Sequence, residues 1–289
     1  MKKYLVLLLW LSGQFFIYSQ EPVKEKEIDA LIDELFMEDE VINELTASLN
    51  NFQFLYISTT FNSDTYFSGR DLGIDQYNIT PQITYAHSNG IFAGLSGIYY
   101  SEFEPKWDVT VATIGFGKNI GKKKLFKYAV SYSKYFYAND LNNIYSNTLN
   151  LRFGVRNKKR TLGTQLSGSF LFGEEQSFEI ASRSFVDFNL LKTKKTSLKF
   201  KPQLNVTAGK QTIELARIVI QKGQLLTQYT ENDVFDLINT QINLPLLYST
   251  NSFDFEAGYN INFPNAIGEE SNLKSTGFFN ISIGYLIDL

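Results

Sequence analysis

The sequence predicts an all-β chain, a transmembrane antiparallel up-and-down β-barrel of about twelve strands. Three observations carry that reading. Large apolar residues alternate with small polar ones in one stretch after another, the period of a strand. Short connections alternate with longer, more acidic ones. No stretch of the 289 residues reaches 18 consecutive apolar residues, so helical membrane spans are excluded.

The chain opens on Met1, Lys2 and Lys3, then an apolar core from Tyr4 to Leu11. Ser19 is a small residue at a cleavage point before Gln20, so residues 1–19 read as a secretory signal. Residues 20–50 differ from everything after them. Ile28, Leu31, Ile32, Leu35, Ile42, Leu45 and Leu49 recur at helical steps. Residues 21–50 hold ten acidic residues against two basic ones, a net charge of -8, while residues 51–289 carry an excess of +3. The expectation is an acidic amphipathic helix on the periplasmic side of a barrel formed by residues 51–289.

The strands follow. Ile79, Pro81, Ile83 and Tyr85 alternate with Thr80, Gln82, Thr84 and Ala86. Phe126, Tyr128, Val130 and Tyr132 alternate with Lys127, Ala129, Ser131 and Ser133. Leu149, Leu151, Phe153 and Val155 make a third such row, and Leu198, Phe200, Pro202, Leu204 and Val206 a fourth. Phe253, Phe255, Ala257, Tyr259 and Ile261 make a fifth. The last stretch is the clearest, with Phe279, Ile281, Ile283, Tyr285, Ile287 and Leu289 on one face and Asn280, Ser282, Gly284 and Asp288 on the other. Stretches 91–101 and 108–118 carry small and apolar residues on both faces.

Short turns are expected at Ser88 to Gly90, Gly121 to Lys124, Asn157 to Arg160, Lys192 to Lys195 and Ser249 to Ser252. Longer loops are expected on the other side, at Asp64 to Asp75, Glu102 to Trp107, Ala138 to Tyr145 and Asn265 to Lys274. Around Gly209 to Asp233 the apolar pattern reads as a hairpin projecting past the membrane, with its turn at Lys222-Gly223. Reading that segment as two more lipid-facing strands would give fourteen. Tyr66, Phe67, Tyr99, Tyr100, Trp107, Tyr135, Phe136 and Tyr137 cluster near the long-loop ends, and Phe126, Tyr128, Tyr248 and Phe253 near the short turns. Two aromatic girdles are expected where a barrel meets the two interfaces.

This architecture resembles the outer-membrane β-barrel proteins of Gram-negative bacteria. The resemblance covers the signal and residues 52–289, and rests on no family-specific motif. The final strand is similar to the terminal signal such barrels show to their insertion machinery, although it ends in Leu289 where Phe is usual. The resemblance implies contact with outer-membrane lipids, lipopolysaccharide and that machinery during biogenesis.

Candidate functional residues come from the inward-facing row. Lys127, Arg152, Arg156, Arg183, Lys199 and Lys201 point inward with Glu179, Asp187, Asp254 and Glu256. They read either as a polar pathway whose basic rings favour anionic solutes or as paired charges filling a closed interior. Lys122, Lys123, Lys124, Lys158, Lys159 and Arg160 lie at short turns, on the side expected for the acidic helix. They are candidates for docking it, as a plug or beside a periplasmic protein partner contacted through residues 21–50. His87-Ser88 evokes the serine–histidine pair of outer-membrane lipid hydrolases, but adjacent residues on a strand point to opposite faces. No cysteine is present and there is one histidine, so disulfides, thiolate sites and His-rich metal sites are excluded. No cofactor, metal or nucleic acid is expected. Three functions stand: a narrow pore for small polar solutes, a non-conducting scaffold or assembly partner, and a lipid hydrolase.

Overall fold

The computed structural model describes residues 53–71, 73–121, 124–138, 145–193, 196–221, 224–250, 252–266 and 273–289, with the backbone alone over 211–234. The expected signal and acidic helix lie outside these residues. Sixteen strand segments are present: β1 (Gln53–Asn62), β2 (Tyr66–Phe67), β3 (Arg70–Asp71), β4 (Asn78–His87), β5 (Ile91–Tyr100), β6 (Trp107–Ile120), β7 (Phe126–Tyr137), β8 (Asn147–Arg156), β9 (Leu162–Phe172), β10 (Gln176–Val186), β11 (Phe188–Lys192), β12 (Ser197–Phe200), β13 (Gln203–Gln221), β14 (Gln224–Ser249), β15 (Phe253–Pro264) and β16 (Thr276–Asp288).

They form a closed barrel of twelve staves. Each stave pairs antiparallel with its neighbours in sequence, and β1 closes the ring on β16, from Phe54 opposite Asp288 to Asn62 opposite Asn280. Two staves are interrupted. β10 continues into β11 past Asp187, and β12 into β13 past Lys201 and Pro202. The break lies at Pro202, which has no N–H for the ladder, and the pairing resumes on both sides of it. β2 and β3 are a separate two-stranded hairpin in the first long loop.

Twelve is the expected number, and the fourteen-strand count falls. β13 and β14 pair with each other out to Gln221 and Gln224, as a hairpin. β10 accompanies β13 only to Gly209, and β15 accompanies β14 only from Asn239. Beyond those points the hairpin is a two-stranded ribbon that leaves the wall.

Burial is inverted relative to a water-soluble barrel. Outward side chains are large, apolar and bare, with Phe279 63 % exposed and Ile281 58 %. Inward, Asp254 is fully buried and Lys201 2 % exposed. A belt of such size cannot face water as a soluble monomer's surface. A closed antiparallel ring with every inner ladder paired is one of the two backbone solutions that hydrocarbon tolerates.

Local chemistry explains the short turns. Gly90 turns with φ +104, where a Cβ would meet the Gly117 carbonyl at 2.5 Å. Asn157 Oδ1 accepts the Thr161 amide at 2.9 Å, and Thr250 Oγ1 accepts that of Phe253 at 3.0 Å. Aromatic pairs mark the short-turn rim on the lipid face, including Phe253 with Tyr285 at 4.6 Å between ring centres. At the other rim Tyr77 bridges Phe61 and Tyr99. Several residues expected in that girdle face elsewhere. Tyr66 and Tyr100 line an interior cavity and Tyr135 lines another. Tyr66 is on the hairpin that turns into the mouth, and strand parity aims Tyr100 and Tyr135 inward.

Ile281, at the middle of β16, is expected to lose about 2–4 kcal/mol of refolding stability in lipid vesicles on substitution to Arg. Urea titration of refolded protein measures this. A loss near zero would mean that this face meets water.

Candidate functional site

The interior divides into a packed half at the short-turn end and a hollow half toward the long loops. The packed half is built by large side chains lying over small ones on the next strand. Phe92 faces Gly115 across the β5–β6 ladder, Phe185 faces Gly163 across β9–β10, and Lys127 faces Gly154 across β7–β8. Tyr56 lies over Gly284, where even a methyl group would collide with its hydroxyl. Phe54, Tyr56, Phe92, Phe185 and Leu247 are all buried. The pairs form a floor across the barrel.

Charges are set into that floor. Lys201 Nζ stands 3.7 Å from Asp187 Oδ1 and 4.4 Å from the centre of the Phe185 ring. The Arg156 guanidinium lies 4.9 Å from the same ring. Lys127, Lys199, Asp254 and Glu256 are buried. Glu256 accepts from Asn280 Nδ2 at 2.6 Å, and Asn280 Oδ1 accepts from Asn260 Nδ2 at 2.9 Å. In this low-dielectric interior Lys201, Arg156 and Glu256 are held by a neighbour of opposite charge, a ring face or an amide. Arg152 is half-buried on the inward row of β8.

Arg183 sits higher and begins a belt of side-chain hydrogen bonds. Its Nε donates to Asn205 Oδ1 at 3.1 Å, and Asn205 Nδ2 donates to Gln241 Oε1 at 3.1 Å. Gln241 Nε2 donates to Asn262 Oδ1 at 2.9 Å, and Asn262 Nδ2 to Thr276 Oγ1 at 3.1 Å. Each pair is directly opposite in its backbone ladder, so one inward position on five successive staves makes the belt. Thr276 Oγ1 then donates to Gly69 O at 2.9 Å. That contact ties down the β2–β3 hairpin, whose turn at Ser68 and Gly69 has positive φ at both positions. Arg70 adds a 2.7 Å bond from Nη2 to the Asn265 carbonyl. The hairpin therefore turns into the mouth and roofs it in part.

Between roof and floor lies a cavity of about 430 Å³. Asn62, Asn78, Asn205, Asn239, Gln241, Asn262, Thr65, Thr80, Thr207 and Ser68 face it, with Tyr66, Tyr100, Phe278 and Ile98. Among the described residues of its lining Asp64 is the one that is charged, and none is Lys or Arg. A second hollow of about 230 Å³ shares Thr80 and descends past Thr84, Ser96, Thr113 and Ser133 to Phe92 in the floor. The other basic residues expected along a pathway thus lie below the hollow, and Arg183 alone among those candidates stands at its level, in the belt. The sequence places residues on the inward face but not at a height, and height separates the belt from the floor.

The docking candidates have a simple placement. Lys124, Lys158, Lys159 and Arg160 sit exposed at the short turns. Lys122 and Lys123 lie outside the described residues, as does the helix they are to meet. His87 ends β4, and its Nδ1 accepts the Asn89 amide at 3.0 Å within the turn, so it is not aimed at the Ser88 hydroxyl. Among the described residues no three His, Asp or Glu side chains gather as a metal site.

No family model matches the chain, and no curated protein matches it. Solved structures do. A NanC porin is 8% identical over 80% of this chain and 98% of its own, with a TM-score of 0.48. An outer membrane channel from Pseudomonas putida F1 is 11% identical over 82% and 95%, with a TM-score of 0.45. LpxR from Salmonella typhimurium is 10% identical over 80% and 99%, with a TM-score of 0.46. The matches are membrane β-barrels. At this identity and superposition no residue role passes from them to this chain.

Lys201→Ala removes the ion pair to Asp187 and the contact on Phe185, and is expected to cost about 3–5 kcal/mol. Lys158→Ala, at an exposed turn, is expected within about 0.5 kcal/mol of wild type. Urea unfolding of both variants from vesicles compares them, and equal costs would mean that the floor ions are solvated.

Proposed function

We propose that the protein is an outer-membrane barrel acting as a narrow pore for small polar solutes, closed at its periplasmic end in this conformation. The observation that carries this reading is the polar hollow leading from the long-loop mouth down to the Phe92 floor. An interior lined by amides and hydroxyls replaces water for a polar solute, and nothing in folding alone demands such a hollow. Twelve strands lie between the eight that pack solid and the sixteen that leave an open channel, so side chains decide the bore. Here they close it with Tyr56, Phe92 and Phe185. The outer membrane is the proposed location because an even-numbered, closed, up-and-down barrel with a lipid-facing belt is the form found there.

The same floor favours a second reading, a barrel that holds its ligand or partner without conducting. Residues 21–50 then serve as the contact for a periplasmic partner, their charge of -8 facing the basic turns.

Planar-bilayer recording separates the two. Residues 20–289, refolded, are expected to give brief, small openings. Tyr56→Ala with Phe92→Ala is expected to give larger and longer ones. Removing residues 21–50 is expected to lengthen openings if that segment docks on the short turns. Silence in wild type, floor variant and deletion alike would overturn the pore and leave the non-conducting barrel.

A further inference from the structure

We infer that the upper hollow is a binding site for neutral, polyhydroxylated ligands of the sugar type. The inference deepens the pore reading by naming its solute class, and rests on that reading for transport but not for binding.

The chemistry of the wall selects the ligand. A carboxamide offers two N–H donors and an acceptor oxygen with two lone pairs. Gln241 uses one donor on Asn262 and receives one bond from Asn205. Among the described residues nothing takes up its second N–H or its second lone pair. Asn239 donates to Asn262 at 3.2 Å, while its own Oδ1 is buried and accepts from no described group. Amides with this spare capacity suit vicinal hydroxyls, each of which donates and accepts. A buried acceptor left unpaired costs stability unless a ligand or water satisfies it.

Rings supply the second half of the argument. Tyr66 and Phe278 lie 6.0 Å apart between centres and both line the hollow. Their faces suit the C–H faces of a pyranose, which is apolar on one side and hydroxylated at its rim. Tyr66 is held by its 2.8 Å bond to Asp64 Oδ2. That carboxylate, with no Lys or Arg among the described residues of the lining, disfavours an acidic ligand. The volume of about 430 Å³ falls low in the range of small-molecule sites, roughly 300–1,000 Å³, and fits one or two sugar rings.

Saturation-transfer NMR tests this with residues 20–289 refolded in a detergent without a sugar headgroup. The probes are maltose, glucuronate and trialanine. Maltose is expected to give a saturable signal that weakens at least tenfold in Gln241→Leu and in Tyr66→Ala, with Lys158→Ala unchanged. Glucuronate is expected to give none at equal concentration. Heat-modifiable gel migration checks folding, and Tyr66→Ala, on the mouth hairpin outside the wall, keeps the test open if Gln241→Leu does not fold. No saturable maltose signal, equal signals in wild type and both variants, or preference for glucuronate or trialanine would overturn the inference. Conductance is read separately, so a silent barrel that binds maltose fails as a pore but not as a site. A conducting barrel indifferent to maltose fails here alone.

Discussion

The closure of β1 on β16 is the constraint on which the rest depends. In hydrocarbon an unpaired backbone N–H or C=O has no water to turn to, so an open sheet edge is not tolerated. A meander of twelve staves leaves two edges, and they satisfy each other along nine paired positions from Phe54 to Asn62. Once the ring is shut, inside and outside are fixed for every residue by parity. The bare Phe279 and Ile281 and the buried Asn280 between them follow from that single closure.

A closed ring of this size encloses more space than backbone can fill, and the chain divides it by side-chain length. At the short-turn end long side chains stand opposite glycine, Phe92 over Gly115 and Phe185 over Gly163, so the gaps left by absent side chains are filled from the neighbouring strand. Lys201 enters that packing with partners, between Asp187 and Phe185. Toward the mouth most inward residues are shorter amides and hydroxyls, and the belt bonds sideways along the wall. The hollow is what those shorter residues leave. The mouth hairpin then narrows its entrance through the contacts of Gly69 and Arg70.

Much of this was legible in the sequence. Alternation in rows such as Leu149 to Val155 and Phe279 to Leu289 is local, with period two, so it survives without knowledge of any partner strand. The short turns were legible for the same reason, since Asn157, Gly90 and Gly121 supply turn chemistry within a few residues. The ribbon of β13 and β14 was legible through its length and its Lys222-Gly223 turn. The inward residues Lys127, Lys199, Lys201, Asp254 and Glu256 could be placed on a face, because parity fixes a face.

Register, height and convergence are not local. Arg183, Asn205, Gln241, Asn262 and Thr276 are scattered over five strands, and no spacing in the chain marks them as one belt. Whether Lys201 meets Asp187 or open water depends on how far each strand is staggered against the next and on the width of the closed ring. Tyr66 and Tyr100 counted as interface aromatics in one dimension and became cavity walls in three, because a loop turned inward and a strand end faced the bore. The sequence by itself determined the barrel, a strand number of about twelve with fourteen left open, and the faces of the clearly alternating strands, all consequences of a two-residue repeat. Only the tertiary structure decided where the bore is filled and where it is hollow, because that depends on which side chains share a level once the ring has closed.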